Sequence, residues 1–162
     1  MSLQFLQNAL QNQNVKAMMD TIGHTEGAKY NSLFGDTPNG RHIFTDFSKH
    51  PNVRMPFGKD NFSTAAGRYQ MLYDTWEAIR EKYDLKDFGP ESQDIACCEL
   101  FSQRDCLQKI MDGDFHYAVK QCNTIWASLP GSPYGQPTKT IADAVAFFES
   151  AGGSVNDESI AL

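Results

Sequence analysis

The chain has 162 residues, 41% of them hydrophobic and 21% charged, with a net charge of −6 at pH 7. This length predicts one domain over residues 1–162, with 1–12 and 155–162 peripheral to its core. No apolar run approaches the roughly 20 residues of a membrane span, so membrane insertion is not expected. The acidic balance disfavours nucleic acid as a partner.

The charge is unevenly spread. From His24 to Gln70 six Lys/Arg face four acids, a local +2, whereas residues 71–162 carry −8. The positive segment suits an anionic polymer; a solvated surface with a chance asymmetry is the plainer account. Met1-Ser2-Leu3-Gln4-Phe5 has neither the basic start nor the continuous apolar stretch of a secretory signal. Cys97, Cys98, Cys106 and Cys122 form no C-x-x-C pair, and the four His show no H-x-x-x-H spacing. No metal site is therefore expected, and the cysteines read as small buried side chains in a reducing compartment.

Val15, Met18, Met19 and Ile22 fall on one face of a helix that Asn14 caps and Gly23 ends, leaving Glu26 just beyond it. Between Tyr30 and Phe62, Gly, Pro, Asn and Asp recur, around a β-rich Ile43-Phe44-Thr45-Asp46-Phe47. This predicts a small hairpin or three-stranded lobe. Ser63 or Thr64 then caps a helix whose stripe is Tyr69, Leu72, Trp76, Ile79 and Tyr83. Pro90 opens the next helix, with Ile95, Cys98 and Phe101 inward. Residues 105–111 extend it or form a short helix of their own, ended by Gly113. Phe115, Ala118, Val119 and Cys122 mark another helix, and Trp126 reads as core. A Gly/Pro loop follows, Ser132 to Pro137, and a last helix from about Thr140 to Ser150 buries Ile141, Val145 and Phe148. The class is α+β, helices around a small β lobe.

Glu26 is the first candidate for chemistry. A carboxyl sheltered against apolar neighbours keeps its proton nearer to neutral pH and can deliver it to a leaving oxygen. Taken alone, a solvated Glu after a helix is the commoner situation. Ala66-Gly67-Arg68-Tyr69-Gln70 is the second candidate: Gly67 lets backbone approach a ligand, and Gln70 offers both a donor and an acceptor to a sugar. An ordinary first helical turn is its plainer reading. Tyr134 in its Gly-rich loop suits stacking on a sugar face. Asp36, Asp46 and Asp60 are candidates for a second carboxylate, although for each alone a turn-forming Asp is the commoner reading.

Several blocks together resemble the lambda-type phage endolysins: Thr45 to Pro51, Ser63 to Gln70, Leu85 to Phe88, Ser92-Gln93-Asp94, Asn123 to Gly131 and Tyr134-Gly135-Gln136. They stand in the family's order, and the similarity runs from about Val15 to Val155. Thr25 replaces the family's usual Ser before the acid, and Ala65 replaces a Gly. The resemblance implies a lysozyme-like fold whose β lobe flanks a substrate cleft. It implies cleavage of peptidoglycan glycan strands between N-acetylmuramic acid and N-acetylglucosamine, without a cofactor. Glu26 would act as a single-carboxylate lytic transglycosylase acid, forming 1,6-anhydro ends. Ser63, Tyr69, Gln70, Tyr134, Gln136 and Asp46 would bind substrate.

The resemblance also implies a monomer made in the host cytoplasm that reaches the wall through a separately encoded pore. Two rivals stand beside it. A hydrolytic muramidase would use Asp36 or Asp46 to hold a water or the ring cation, and a non-catalytic glycan-binding module would not need Glu26 at all.

Overall fold

A computed structural model of the protein describes residues 1–133 and 140–157. Tyr134 and Gln136 lie outside the described residues. In chain order the elements are α1 (Leu3–Ala9), α2 (Gln13–Glu26), β1 (Met55–Phe57), β2 (Asn61–Ser63), α3 (Tyr73–Tyr83), α4 (Pro90–Gln103), α5 (Leu107–Met111), α6 (Phe115–Cys122) and α7 (Ile141–Ser150). The class is mostly helical α+β, as expected. Two compact units emerge: residues 1–25 with the chain from 97 onward, and residues 26–96. Helices α2 and α4 each contribute residues to both.

The first unit is helical and apolar. Ser2 caps α1, its Oγ accepting the Phe5 N–H at 3.1 Å. Asn12, not Asn14, caps α2: its Oδ1 accepts the N–H groups of Asn14 and Val15 at 2.9 and 3.2 Å. The Asn14 amide instead donates to the Met111 carbonyl and accepts from the Ser154 N–H. Gly23 does not end α2. It sits buried in the helix, which runs on to Glu26 and stops at Gly27, where φ is +64°. An interior glycine costs about 1 kcal/mol relative to Ala, and burial of Val15, Met18, Met19 and Ile22 outweighs that. A left-handed glycine one residue past the end is the usual helix stop.

Helix α4 begins at Pro90 and buries Ile95, Cys98 and Phe101. Residues 107–111 are a separate helix, α5, and α6 buries Phe115, Ala118, Val119 and Cys122. Phe101 meets Trp126 edge-on at 5.7 Å, and Phe115 packs on Phe148 at 4.5 Å. All four cysteines are buried and free. Thr140 caps α7 through the Asp143 N–H. Ile141 departs from expectation at 37% exposure. It lies in the first turn, and the inward face begins at Ala144 and continues to Phe148.

The second unit is largely irregular. No strand runs through Ile43–Phe47; Ile43 makes an isolated bridge to Ser32. In an extended strand Phe44 and Phe47 would point to opposite faces. Here their rings pack together at 5.0 Å, and Phe44 also reaches Phe88 at 5.8 Å, so the chain must turn between them. The hairpin lies further on, β1 pairing antiparallel with β2 in the register Met55↔Ser63, Pro56↔Phe62 and Phe57↔Asn61. Gly58 and Asp60, both at positive φ, make its turn.

Helix α3 starts at Tyr73, later than the apolar stripe suggests. Trp76, Ile79 and Tyr83 are its inward face, while Leu72 is 50% exposed and Tyr69 lies in a turn before the helix. Ser63 ends β2. Thr64 serves the helix from a distance, its Oγ1 accepting the Tyr73 N–H at 3.1 Å.

Candidate active site

Glu26 is the last residue of α2 and is half-buried. The chain leaves the helix at Gly27 and folds back on itself through a knot of hydrogen bonds. Ser32 Oγ accepts the Lys29 N–H at 2.9 Å and donates to Asp36 Oδ2 at 2.6 Å. Asp36 Oδ1 also accepts the Arg41 Nε–H and the His42 N–H, both at 2.8 Å, and Arg41 Nη2 donates to Oδ2 at 3.2 Å. The Arg41 guanidinium above all, helped by Ser32 and the His42 N–H, lowers the Asp36 pKa to about 2. This carboxylate stays ionised and saturated, and its task is to pin the loop after Glu26.

Asp46 is exposed, with Oδ1 accepting the Ser48 N–H at 2.9 Å. The Ser48 hydrogen bonds hold its carboxyl below the usual range. It forms an Asx turn. Asp60 sits at φ +61° in the hairpin turn. Ser63 Oγ accepts the Ala65 N–H at 3.1 Å.

The Gly67-Arg68-Tyr69-Gln70 segment is a tight turn closed by reciprocal bonds, Ala66 N to Met71 O at 3.1 Å and Met71 N to Ala66 O at 2.9 Å. Gly67 has φ +82°, and a Cβ there would collide with the Gln93 side-chain amide. The glycine is needed here to make room for the Gln93 side chain. Gln70 also has positive φ, +49°, a conformation that a residue with a Cβ adopts at some cost. Its Nε2 donates to the Gly67 carbonyl at 2.9 Å, which fixes the amide and turns its Oε1 away from that bond.

Tyr69 is 2% exposed, so its ring faces protein. Its hydroxyl donates to Asp94 Oδ1 at 2.5 Å, and Tyr30 donates to the same oxygen at 2.8 Å. Arg68 Nη1 reaches both hydroxyls, at 3.3 and 3.4 Å. Burial first, then the Asp94 charge, raises the Tyr30 pKa. His50 is buried, with Nδ1 accepting the Asn52 N–H at 3.0 Å, so Nε2 carries the proton and donates to the Met71 carbonyl at 2.9 Å. Desolvation lowers its pKa below the usual histidine value and keeps the ring neutral.

Sequence reasoning missed the residue that organises this unit. Gln93 is buried; its Oε1 accepts the Arg68 N–H at 3.0 Å, and its Nε2 donates to the carbonyls of Tyr30 and Phe88 at 3.0 and 2.8 Å. One amide thus joins the loop after Glu26, the Gly67 turn and the start of α4. Ser32 adds a direct bond between the first two, its carbonyl accepting the Gly67 N–H at 2.8 Å. Glu26 and Gln70 therefore flank segments locked in register. No bond of that kind ties Asp46 or Ser63 to this network among the described residues, nor is there a cluster suited to a metal ion. The only sequence signal for Gln93 was its place in the Ser92-Gln93-Asp94 block, which carried no assigned role.

Comparison with known proteins adds to this geometry. Residues 16–155 match the family model described as Endolysin. The chain is 38% identical over 151 residues to the endolysin of Escherichia phage lambda, covering 90% of this chain and 96% of that protein. It is 34% identical over 155 residues to the endolysin of Escherichia phage P2, covering 87% and 94%. Among solved structures it is similar to the bacteriophage lambda lysozyme complexed with a chitohexasaccharide. The TM-score is 0.82 at 37% identity, over 90% of this chain and 97% of that one. A second structure, the lysozyme from bacteriophage lambda, gives a TM-score of 0.79 at 35% identity with the same coverage. The fold is lysozyme-like.

Proposed function

This chain belongs to the endolysin family, and on that premise we propose that it lyses a bacterial host by cutting peptidoglycan as a lytic transglycosylase. The bond cut is the β-1,4 link between N-acetylmuramic acid and N-acetylglucosamine, and each cut leaves a 1,6-anhydro end. The observation that carries this reading is Glu26 at the half-buried end of α2, followed by a loop tied to the Gln70 turn. A helix C-terminus is the negative end of its dipole. A general acid placed there must hold its proton until the leaving oxygen takes it.

In the proposed reaction the Glu26 carboxyl protonates the glycosidic oxygen as the bond to the muramic C1 breaks. The resulting carboxylate takes the proton of the muramic C6 hydroxyl, whose oxygen bonds to C1. No water is consumed, and Glu26 ends protonated as it began. The nucleophile belongs to the substrate, so its effective molarity replaces a second protein acid. The state of the other carboxylates supports this: Asp36 is saturated, and Asp46 and Asp60 are turn residues. Gln70 is read as a sugar contact, and Tyr69 as the support that holds its turn. Ser63, Asp46, Tyr134 and Gln136 remain proposed substrate contacts.

The proposed partner is the glycan strand, bound by a monomer that needs no cofactor. No helix among the described residues is long and apolar enough to cross a membrane. The proposed route to the wall is a separate pore-forming protein. Glu26→Gln is expected to reduce cleavage by about 10²–10⁴-fold while glycan binding persists, because the amide keeps the shape and loses the transferable proton. Mass spectra of digests in ¹⁸O water separate the mechanisms. Anhydro ends without label are expected; labelled reducing ends would establish hydrolysis instead.

A further inference from the structure

The loop after Glu26 encloses a groove of about 320 Å³, lined by Gly27, Lys29, Asp36, Thr37, Pro38 and Arg41. Its electrostatic character is positive. Asp36 supplies the only carboxylate in that lining, and its side chain is 5% exposed and consumed by Arg41, His42 and Ser32. Arg41 spends Nε and Nη2 on that pair and keeps 42% of its side chain exposed. The Lys29 side chain is exposed, and its ammonium has no partner among the described residues. One uncompensated positive charge therefore remains, beside an outward-facing guanidinium edge. Gly27, the direct neighbour of Glu26, lines the groove, and a Cβ built there would meet nothing within 4 Å. The groove is open at Gly27, one residue along the chain from the acid.

We infer that this groove binds a carboxylate of the peptide stem carried by the muramic acid residue, which makes Lys29 a specificity-determining residue. The inference rests on the reading of peptidoglycan as substrate. The sugar backbone is uncharged, so it offers a cationic groove hydrogen-bond acceptors but no counter-charge. The stem begins on the muramic ring whose glycosidic bond Glu26 is read to protonate, and its free carboxylates are the strand's negative groups at that ring. An ammonium and a guanidinium edge are suited to hold one by charge-assisted hydrogen bonds. Exposed ion pairs are individually modest, so the effect is one of selectivity, sensitive to salt.

The test compares native stem-bearing strands with strands whose carboxylates have been converted to amides by carbodiimide and ammonia. The wild-type ratio of kcat/KM, native over amidated, is expected to be about tenfold at low salt and to shrink as salt is added. Lys29→Ala should bring the ratio close to one, Lys29→Glu should invert it, and Lys29→Arg should restore it. An unchanged ratio in Lys29→Ala and Lys29→Glu overturns the inference.

A binding arm keeps this separate from the proposed function. With Glu26→Gln protein, a disaccharide-tripeptide fragment is titrated beside a chitohexasaccharide. Lys29→Glu should weaken only the charged fragment, by about tenfold. If wild-type protein cuts neither kind of strand, the function reading fails and this titration alone decides the groove; equal affinities with and without Lys29→Glu reject it.

Discussion

The two units of the molecule hold their shapes with different materials. In the first, Leu6, Met18, Ile22, Phe101, Ile110, Phe115, Trp126 and Phe148 are fully buried, carried mostly on helices. In the second, long loops replace helices, and polar side chains do the joining: Gln93 bonds three segments, Asp36 pins one loop and Asp94 gathers two tyrosines. Apolar packing is spread over many contacts and degrades gradually. A buried amide or carboxylate concentrates the same duty in a few directional bonds, and its removal leaves orphaned groups behind. The candidate site follows the second pattern, so its geometry should be more sensitive to single polar changes than the helical unit is to single apolar ones.

Four outcomes would sharpen or break that contrast. The largest loss is expected in the helical unit: Phe148→Ala removes a ring packed on Phe115 at 4.5 Å and should cost about 3–5 kcal/mol. Urea denaturation measures it, and molecules that remain folded should cleave at the wild-type rate. Gln93→Leu should cost less, about 2–4 kcal/mol, since three backbone groups lose their partner. Here cleavage by folded molecules should fall as well, because the Gly67 turn is released. If Gln93→Leu left the rate per folded molecule intact, or Phe148→Ala reduced it, the contrast would fail.

The remaining two effects are read against pH. Asp36 titrates at about 2 in the folded chain against 3.8 for an unperturbed Asp. Its folded value is the lower one, so its stabilisation is complete above 3.8 and is lost as the pH falls toward 2. The melting temperature of Asp36→Asn, already lower at neutral pH, should approach that of the wild type through this window. A constant difference would remove Asp36 from the account.

The smallest effect belongs to His50, whose pKa is lowered from 6.5 by burial. Its contribution is full above 6.5 and declines as the pH falls through the lower folded value. Nitrogen chemical shifts should report the Nε2–H form at neutral pH and a midpoint below 6.5; a midpoint above it contradicts a neutral buried ring.

How much of this was legible follows the same division. The stripes Val15–Ile22, Ile95–Phe101 and Phe115–Cys122 marked helices that the structure contains, because helical periodicity is written into neighbouring residues. Glu26 was legible as a candidate, but not as the last residue of its helix, since Gly23 looked like a stop and burial overrode it. The strand expected at Ile43–Phe47 failed for a nonlocal reason: Phe88, far along the chain, draws Phe44 inward.

By itself the sequence determined most of the helices, though not α1 with its buried Leu6 and Ala9, the turn-rich character of the second unit and the type of chemistry available, because composition and short-range spacing encode those. Only the tertiary structure decided that Gly67 makes room for Gln93, that Tyr69 is buried and that Asp36 is spent on Arg41. A polar side chain reads the same in sequence whether it faces water or a distant backbone group. Which of the two it meets depends on residues such as Gln93 and Arg68, twenty-five positions apart, that only folding brings within 3.0 Å.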